Sequence, residues 1–197
     1  RLRIADILSA GDATASELAE TLAMPSNLLA HHLKVLRGVG LVVSQPSQGD
    51  RRRRYLQLAD GVFGLQPVVP FAVPARVVFV CTANSARSHL AAALWRRASR
   101  IPASSAGTHP GDQIDPGAVD VAARHNVSLA QARPRGLKQV LRDGDLLITV
   151  CDRAHEELGV GDQLHWSVAD PATTGTPEGY ETAFADIERR VLALAPR

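Results

Sequence analysis

Hydrophobic positions in the first sixty residues recur at helical spacing and then give way to short alternating runs. Leu2, Ile4, Ile7 and Leu8 predict a helix over about residues 1–9, stopped by Gly11. Thr14-Ala15-Ser16-Glu17 fits a capping box, in which Thr14 accepts from the amide three residues on and Glu17 reaches back. Leu18 and Leu22 follow on one face of a short second helix. Ser26, just after Pro25, is expected to cap a third helix with a buried stripe of Leu29, Leu33 and Leu36, ended by Gly38 or Gly40. Leu41-Val42-Val43 and Tyr55-Leu56-Gln57-Leu58 then predict two paired strands joined by a polar loop over 45–54. Further on, Val77-Val78-Phe79-Val80 is a continuous apolar run, the pattern of a strand buried on both faces. Leu90 and Leu94 begin an alanine-rich helix, and Tyr180, Phe184, Ile187, Val191 and Leu194 predict a closing amphipathic one.

Between the two patterned regions lie Pro67, Pro70 and Pro74. Proline lacks the amide donor and restricts its predecessor, so this stretch is a poor helix and a poor central strand. It divides the chain into a domain over 1–66, a linker over 67–75 and a domain over 76–197. Of the 197 residues, 45% are hydrophobic and 21% charged, an ordinary globular balance. No apolar run is long enough for a membrane span and the amino terminus lacks a signal-peptide pattern, so no membrane partner is expected. Two cysteines cannot form a disulfide framework, which points to a reducing cytoplasm. Met24 is the only methionine, so the first domain is expected to lack an amino-terminal part upstream of Arg1.

The charge is unevenly placed. Residues 1–66 carry eight Arg/Lys against six Asp/Glu, whereas 67–197 are balanced, and the excess gathers in Arg51, Arg52, Arg53 and Arg54. Helices joined by a tight turn, then a hairpin with a basic tip, make a winged helix-turn-helix. Its third helix can enter a major groove of double-stranded DNA while the wing neutralises phosphates. Over nearly all of residues 1–60 the chain also resembles the ArsR-type family of bacterial repressors, through Ser16-Glu17-Leu18-Ala19, His31-His32-Leu33-Lys34-Val35-Leu36-Arg37 and Gly40-Leu41-Val42. That resemblance implies a homodimer on paired half-sites. It makes Ser26, Asn27, Ala30 and His31 the positions expected to face base edges, with Lys34, Arg37 and residues 51–54 on phosphates. Arsenic-sensing members carry a Cys-x-Cys pair where this chain has Thr14 and Ser16, and hydroxyls are not soft ligands for a thiophilic ion. A winged helix used only for dimerisation or protein contact is the plainer alternative.

The apolar run at 77–80 leads into Cys81-Thr82-Ala83-Asn84-Ser85-Ala86-Arg87-Ser88. A strand, a loop of small residues and a helix start form an anion cradle, because successive amides point inward and the helix dipole favours negative charge. Cys81 is expected to ionise readily there, and Arg87 supplies a planar fork for two oxygens of a tetrahedral anion. A buried inert thiol is the alternative reading of Cys81.

Here the sequence resembles the low-molecular-weight tyrosine phosphatase fold, most closely its arsenate reductase branch. The likeness runs through the loop 81–88, Ser105-Ala106-Gly107-Thr108, Asp145-Leu146-Leu147-Ile148-Thr149-Val150-Cys151-Asp152, His165-Trp166, Asp170-Pro171 and Gly175-Thr176. It implies an α/β domain with a four-stranded parallel sheet and helices on both faces. By the same resemblance Cys81 is the nucleophile and Arg87 binds the oxyanion with residues Thr82, Ala83, Asn84, Ser85, Ala86 and Ser88. Asn84 would hold the strained backbone, Ser88 would donate to the thiolate, and Asp170 would be the general acid. A helix or turn cap before Pro171 is the alternative reading of Asp170.

Phosphatases of this fold place aromatics just after the Asp-Pro pair, whereas Asp170-Pro171 is followed by Ala172, Thr173 and Thr174. That favours a bare oxyanion such as arsenate over phosphotyrosine. Thioredoxin-linked reductases of this kind use two further cysteines seven residues apart; Cys151 matches the first place, but the second holds Leu158. Cys151 is thus either a resolving thiol or a packed strand-end residue. An external thiol such as mycothiol, regenerated by a redoxin-type partner, is the expected co-substrate, with no metal and no bound cofactor. Two other functions stay open: a tyrosine phosphatase tethered to a DNA reader, and a repressor whose second domain only senses oxyanions.

Overall fold

The computed structural model describes residues 1–59, 74–159, 161 and 163–196. Most of the expected linker, residues 67–73, lies outside the described residues. The chain forms two compact units, Arg1–Pro70 and Phe71–Arg197.

In the first unit, α1 (Leu2–Ala10) and α2 (Ala15–Thr21) are followed by α3 (Ser26–Gly38). The capping box forms as expected: the Glu17 amide donates to Thr14 Oγ1 at 3.2 Å and the Thr14 amide to Glu17 Oε2 at 2.7 Å. Ser26 does not cap α3. Pro25 takes that place with ψ of 138°, so helical dihedrals begin at Ser26 and its hydroxyl lies inside the first turn. Gly40, at φ of 72°, makes the left-handed turn that releases α3 into the hairpin.

The hairpin pairs β1 (Val42–Pro46) with β2 (Arg54–Leu58) in antiparallel register, Val42 opposite Leu58 and Pro46 opposite Arg54. β1 therefore begins one residue later than expected and reaches Pro46, which shortens the wing tip to residues 47–53. Ile4, Leu8, Leu18, Leu29, Leu33, Leu36 and Leu56 close one core. Leu56 and Ala13 exchange backbone hydrogen bonds of 2.8 and 3.3 Å, which ties the wing to the turn between α1 and α2.

The second unit runs β3 (Arg76–Cys81), α4 (Arg87–Ala98), β4 (Ala103–Gly107), α5 (Pro116–Arg124), α6 (Leu137–Val140) and β5 (Asp145–Thr149). It continues through α7 (Asp152–Leu158), β6 (Leu164–His165), α8 (Pro171–Thr174) and α9 (Pro177–Leu194). The four strands are parallel in the order β4-β3-β5-β6, the expected α/β sheet. Val77, Val78, Phe79 and Val80 are fully buried, as a central strand requires. Arg76 Nε donates to Asp145 Oδ1 at 2.8 Å and fastens the starts of β3 and β5. The Arg76 guanidinium also holds the Asp145 carboxyl below the usual carboxylate range. Phe79 packs between Trp95 and Trp166, and the predicted stripe of α9 is buried throughout. Among the described residues no helix is long and apolar enough to cross a membrane.

Candidate active site

Parallel β3 ends at Cys81, and α4 begins at Arg87, three residues earlier than the apolar spacing suggested. The intervening turn is shaped by its carbonyls. Those of Cys81, Thr82, Ala83 and Ser85 accept from the amides of Thr108, His109, Gly111 and Asp115 at 2.9 to 3.1 Å. Because this side consumes the carbonyls, the loop's N–H groups are left for the opposite side, where Asn84 N donates to Cys81 Sγ at 3.2 Å.

Asn84 holds a left-handed φ of 49°, a conformation that asparagine tolerates better than most residues. Three contacts keep it there. Its Nδ2 donates to Ser88 Oγ at 2.8 Å, its Oδ1 accepts from Arg135 N at 2.8 Å, and its backbone lies against Gly107. A β-carbon on Gly107 would lie 2.6 Å from the Thr82 carbonyl oxygen and 3.1 Å from Asn84 N, so only glycine permits this approach. With Asn84 donating to its oxygen, Ser88 can turn its own O–H toward Cys81 Sγ, 3.1 Å away.

Arg87 is the first residue of α4 and its side chain is only 10% exposed. Its Nη2 donates to Asp170 Oδ2 at 2.8 Å and its Nη1 to the Val168 carbonyl at 3.0 Å. Asp170 also caps α8 through the Ala172 amide at 3.2 Å, so its carboxylate serves as the turn cap while it lies against Arg87. Residues 172–174 are exposed and raise no aromatic wall beside it. The site thus brings together Cys81, Asn84, Arg87, Ser88 and Asp170, with Thr82, Ala83, Ser85 and Ala86 as the loop that joins them.

Cys151 sits beside the loop, with its Sγ 3.4 Å from Thr82 Oγ1. It is buried, and burial pushes its thiol up; Cys81 adds to that shift while Arg87 opposes it.

Several supporting residues escaped the sequence reading. Asp115 holds Ser85 through its amide, caps α5 through Gly117 N at 2.9 Å, and accepts from Tyr180 Oη at 2.6 Å. Burial and that bond to a carboxylate push the Tyr180 phenol well above its usual range. His89, on α4, meets Ser105 Oγ through Nδ1 at 3.0 Å. The only advance signal was that Ser105 and Gly107 fall in one block of the family likeness. Beyond Cys151, His155 and His165 stack at 4.2 Å, and His165 Nε2 lies 3.0 Å from Asp152 Oδ1.

In the first unit Ser26, Asn27, Ala30, His31, Lys34 and Arg37 are all exposed along α3, outside its stripe of buried leucines. Ser26, Ala30, Lys34 and Arg37 line a cleft of about 400 Å³ with Ser16 and Ala19 of α2. Residues 51–54 are exposed on the wing. Arg52 pairs with Asp50 at 3.0 Å, and Arg54 donates to Ser44 Oγ and to its carbonyl.

A family model described as "Low molecular weight phosphotyrosine protein phosphatase" matches residues 76–197, and one described as "Helix-turn-helix domain" matches residues 1–45. The chain is 28% identical over 137 residues to a probable low molecular weight protein-tyrosine-phosphatase, EpsP, of Ralstonia nicotianae, covering 61% of this chain and 94% of that protein. It is 31% identical to the arsenate reductase structure from Archaeoglobus fulgidus, with a TM-score of 0.54, covering 60% of this chain and 97% of that one. A low molecular weight protein tyrosine phosphatase structure from T. tengcongensis shares the fold, at 22% identity and a TM-score of 0.54, covering 60% of this chain and 96% of that one.

Proposed function

The chain belongs, over residues 76–197, to the low molecular weight phosphotyrosine protein phosphatase family and carries a helix-turn-helix domain ahead of it, and from that premise we propose that its enzyme domain reduces arsenate to arsenite. The observation that carries this reading is the open side of the site. After Asp170-Pro171 stand Ala172, Thr173 and Thr174, all exposed, where a phosphotyrosine ring would need an apolar wall. A bare tetrahedral oxyanion needs only the inward amides, Arg87 and a proton donor. The 31% identity to an arsenate reductase structure supports the same choice.

The chemistry follows from the geometry. The Cys81 sulfur attacks arsenic while the loop amides and the Arg87 guanidinium hold the oxygens. Once the bound anion takes its place on the Arg87 fork, Asp170 carries a proton to the departing hydroxyl, which leaves as water. A second thiolate then attacks the Cys81 sulfur. The electron pair of the sulfur–arsenic bond passes to arsenic, which leaves as arsenite, and the two sulfurs become a disulfide. In sum, two thiols are oxidised and arsenic(V) becomes arsenic(III). The second thiol is external, of the mycothiol class, and a redoxin-type reductant restores the enzyme.

Arsenite release measured with mycothiol, thioredoxin and glutaredoxin systems tests this. Turnover with the small thiol is the expected result. Efficient hydrolysis of an aryl phosphate without arsenite release would instead support the phosphatase reading, which the Ralstonia relative favours. Oxyanion binding with neither turnover would leave only a sensor.

The first unit acts as a DNA reader in this proposal, as a homodimer. Ser26, Asn27, Ala30 and His31 face base edges, while Lys34, Arg37 and Arg51, Arg52, Arg53 and Arg54 contact phosphates. Each lost phosphate contact lowers the salt slope by about 0.9. Replacing Arg51 and Arg53 with Ala is therefore expected to weaken binding to all duplexes alike and to flatten log K against log salt by about 2. A titration of labelled duplex at several salt concentrations measures this, and an unchanged slope would take the wing off the DNA.

A further inference from the structure

A carbonyl and the N–H that follows it belong to one planar trans peptide and point in opposite directions, so whatever holds the carbonyl also aims the amide. The Cys81 loop shows this at Asn84. Gly111 N donates to the Ala83 carbonyl at 2.9 Å, and on the other side of that peptide Asn84 N donates to Cys81 Sγ. The same construction recurs two peptides on. Asp115 N donates to the Ser85 carbonyl at 3.0 Å, which turns the Ala86 amide away from Asp115. Ala86 is buried, and its amide has no acceptor among the described residues.

Asp115 is itself held by its carboxylate. Its Oδ1 accepts from Gly117 N at 2.9 Å and from Tyr180 Oη, near the start of α9, at 2.6 Å. Tyr180 is buried, and a β-carbon on Gly117 would lie 2.4 Å from its ring, so the ring is seated against the turn that begins α5. Burial and the Asp115 carboxylate keep the phenol protonated, and the charge of Asp170 adds to this. The hydroxyl is thus a constant donor to Asp115, and a short O–H bond to a carboxylate is of the strong kind.

We propose that Tyr180 and Asp115 are positioning residues for the bound oxyanion: the Tyr180 hydroxyl fixes the Asp115 carboxylate, and Asp115 fixes the Ser85–Ala86 peptide so that the Ala86 amide meets the anion. This rests on the reading of the Cys81 loop as an oxyanion cradle, whichever oxyanion is turned over. Neither side chain needs to touch the anion. The closing helix acts on the loop through one hydroxyl, one carboxylate and one peptide plane.

Calorimetric titration of the full chain with tungstate tests this. A misaimed hydrogen bond to a charged ligand costs about tenfold in affinity. Tyr180→Phe, which keeps the ring against Gly117, is therefore expected to raise the tungstate Kd by that factor. Asp115→Ala is expected to weaken binding at least as much. Adding Tyr180→Phe to Asp115→Ala should change the Kd no further, because the hydroxyl acts only through the carboxylate. An unchanged Kd in Tyr180→Phe, even with a lower thermal midpoint, would make the bond a structural tie alone and overturns the proposal. An undiminished effect of Tyr180→Phe in the Asp115→Ala background overturns it too. A parent chain that binds no tungstate overturns the cradle and the proposal with it. An enzyme that binds tungstate but releases no arsenite overturns only the arsenate reading.

Discussion

Replacing Cys81 with serine is expected to abolish arsenate turnover, by about 10⁴-fold or more, while Cys151→Ser retains most of it. Loss of a nucleophile commonly costs factors of about 10⁴ to 10⁶, since the residual rate comes from binding and oxyanion stabilisation alone. Cys81 Sγ is the atom toward which Asn84 N is aimed and toward which Ser88 Oγ can turn, and no other sulfur has that setting. A hydroxyl in its place would keep the hydrogen bonds yet lack both the nucleophilicity and the ability to form a disulfide. Cys151 differs in kind. It is buried, its thiol is pushed up by that burial, and the thiolate is the reactive form. Leu158, at the end of α7, leaves no third sulfur to which an internal relay could pass its disulfide. Arsenite release by the two variants, with tungstate binding as the check on folding, separates the cases. Equal loss in both would mean that Cys151 resolves the Cys81 adduct itself.

What was legible in the sequence was whatever depends on neighbours a few positions apart. The capping box at Thr14 and Glu17, the stripe of α9 and the apolar run of β3 follow from local spacing, and each forms as read. The cysteine-to-arginine loop was legible for the same reason, since strand, turn and helix start are consecutive. Two errors were also local. Pro25 displaced Ser26 from the cap because its own extended ψ delays the helix, and α4 starts at Arg87 because small polar loop residues give no hydrophobic signal of a first turn. The supports of the site were invisible for a different reason. Arg135 reaches Asn84 across 51 residues and Tyr180 reaches Asp115 across 65, through contacts that only the parallel sheet and its crossovers create. No periodicity in one sequence encodes such pairs. Gly107 is intermediate: its place in a family block was visible, but the closeness of the Thr82 carbonyl that demands glycine was not.

His89 supplies an acid-linked loss of stability in the enzyme domain. Its ring is buried, with Nδ1 on Ser105 Oγ, and among the described residues no partner stands at hydrogen-bond distance from Nε2. Burial above all, and then the charges of Arg135 and Arg96, lower its pKa to about 4, with the Asn84 carbonyl acting the other way. An unfolded chain would take up this proton near pH 6.5. Between those two values acid therefore protonates the unfolded chain and not the native one, so stability is complete above pH 6.5 and falls as pH drops toward 4. The loss attributable to this ring is about 3 kcal/mol. Urea midpoints from pH 8 to pH 4 are expected to fall more steeply for the parent than for His89→Gln, whose amide can still meet Ser105 but takes no proton. The difference between the two curves isolates the imidazole from the carboxylates, Asp145 among them, that also titrate in acid. Parallel curves would mean that the native ring is reached by water or finds an acceptor for its proton.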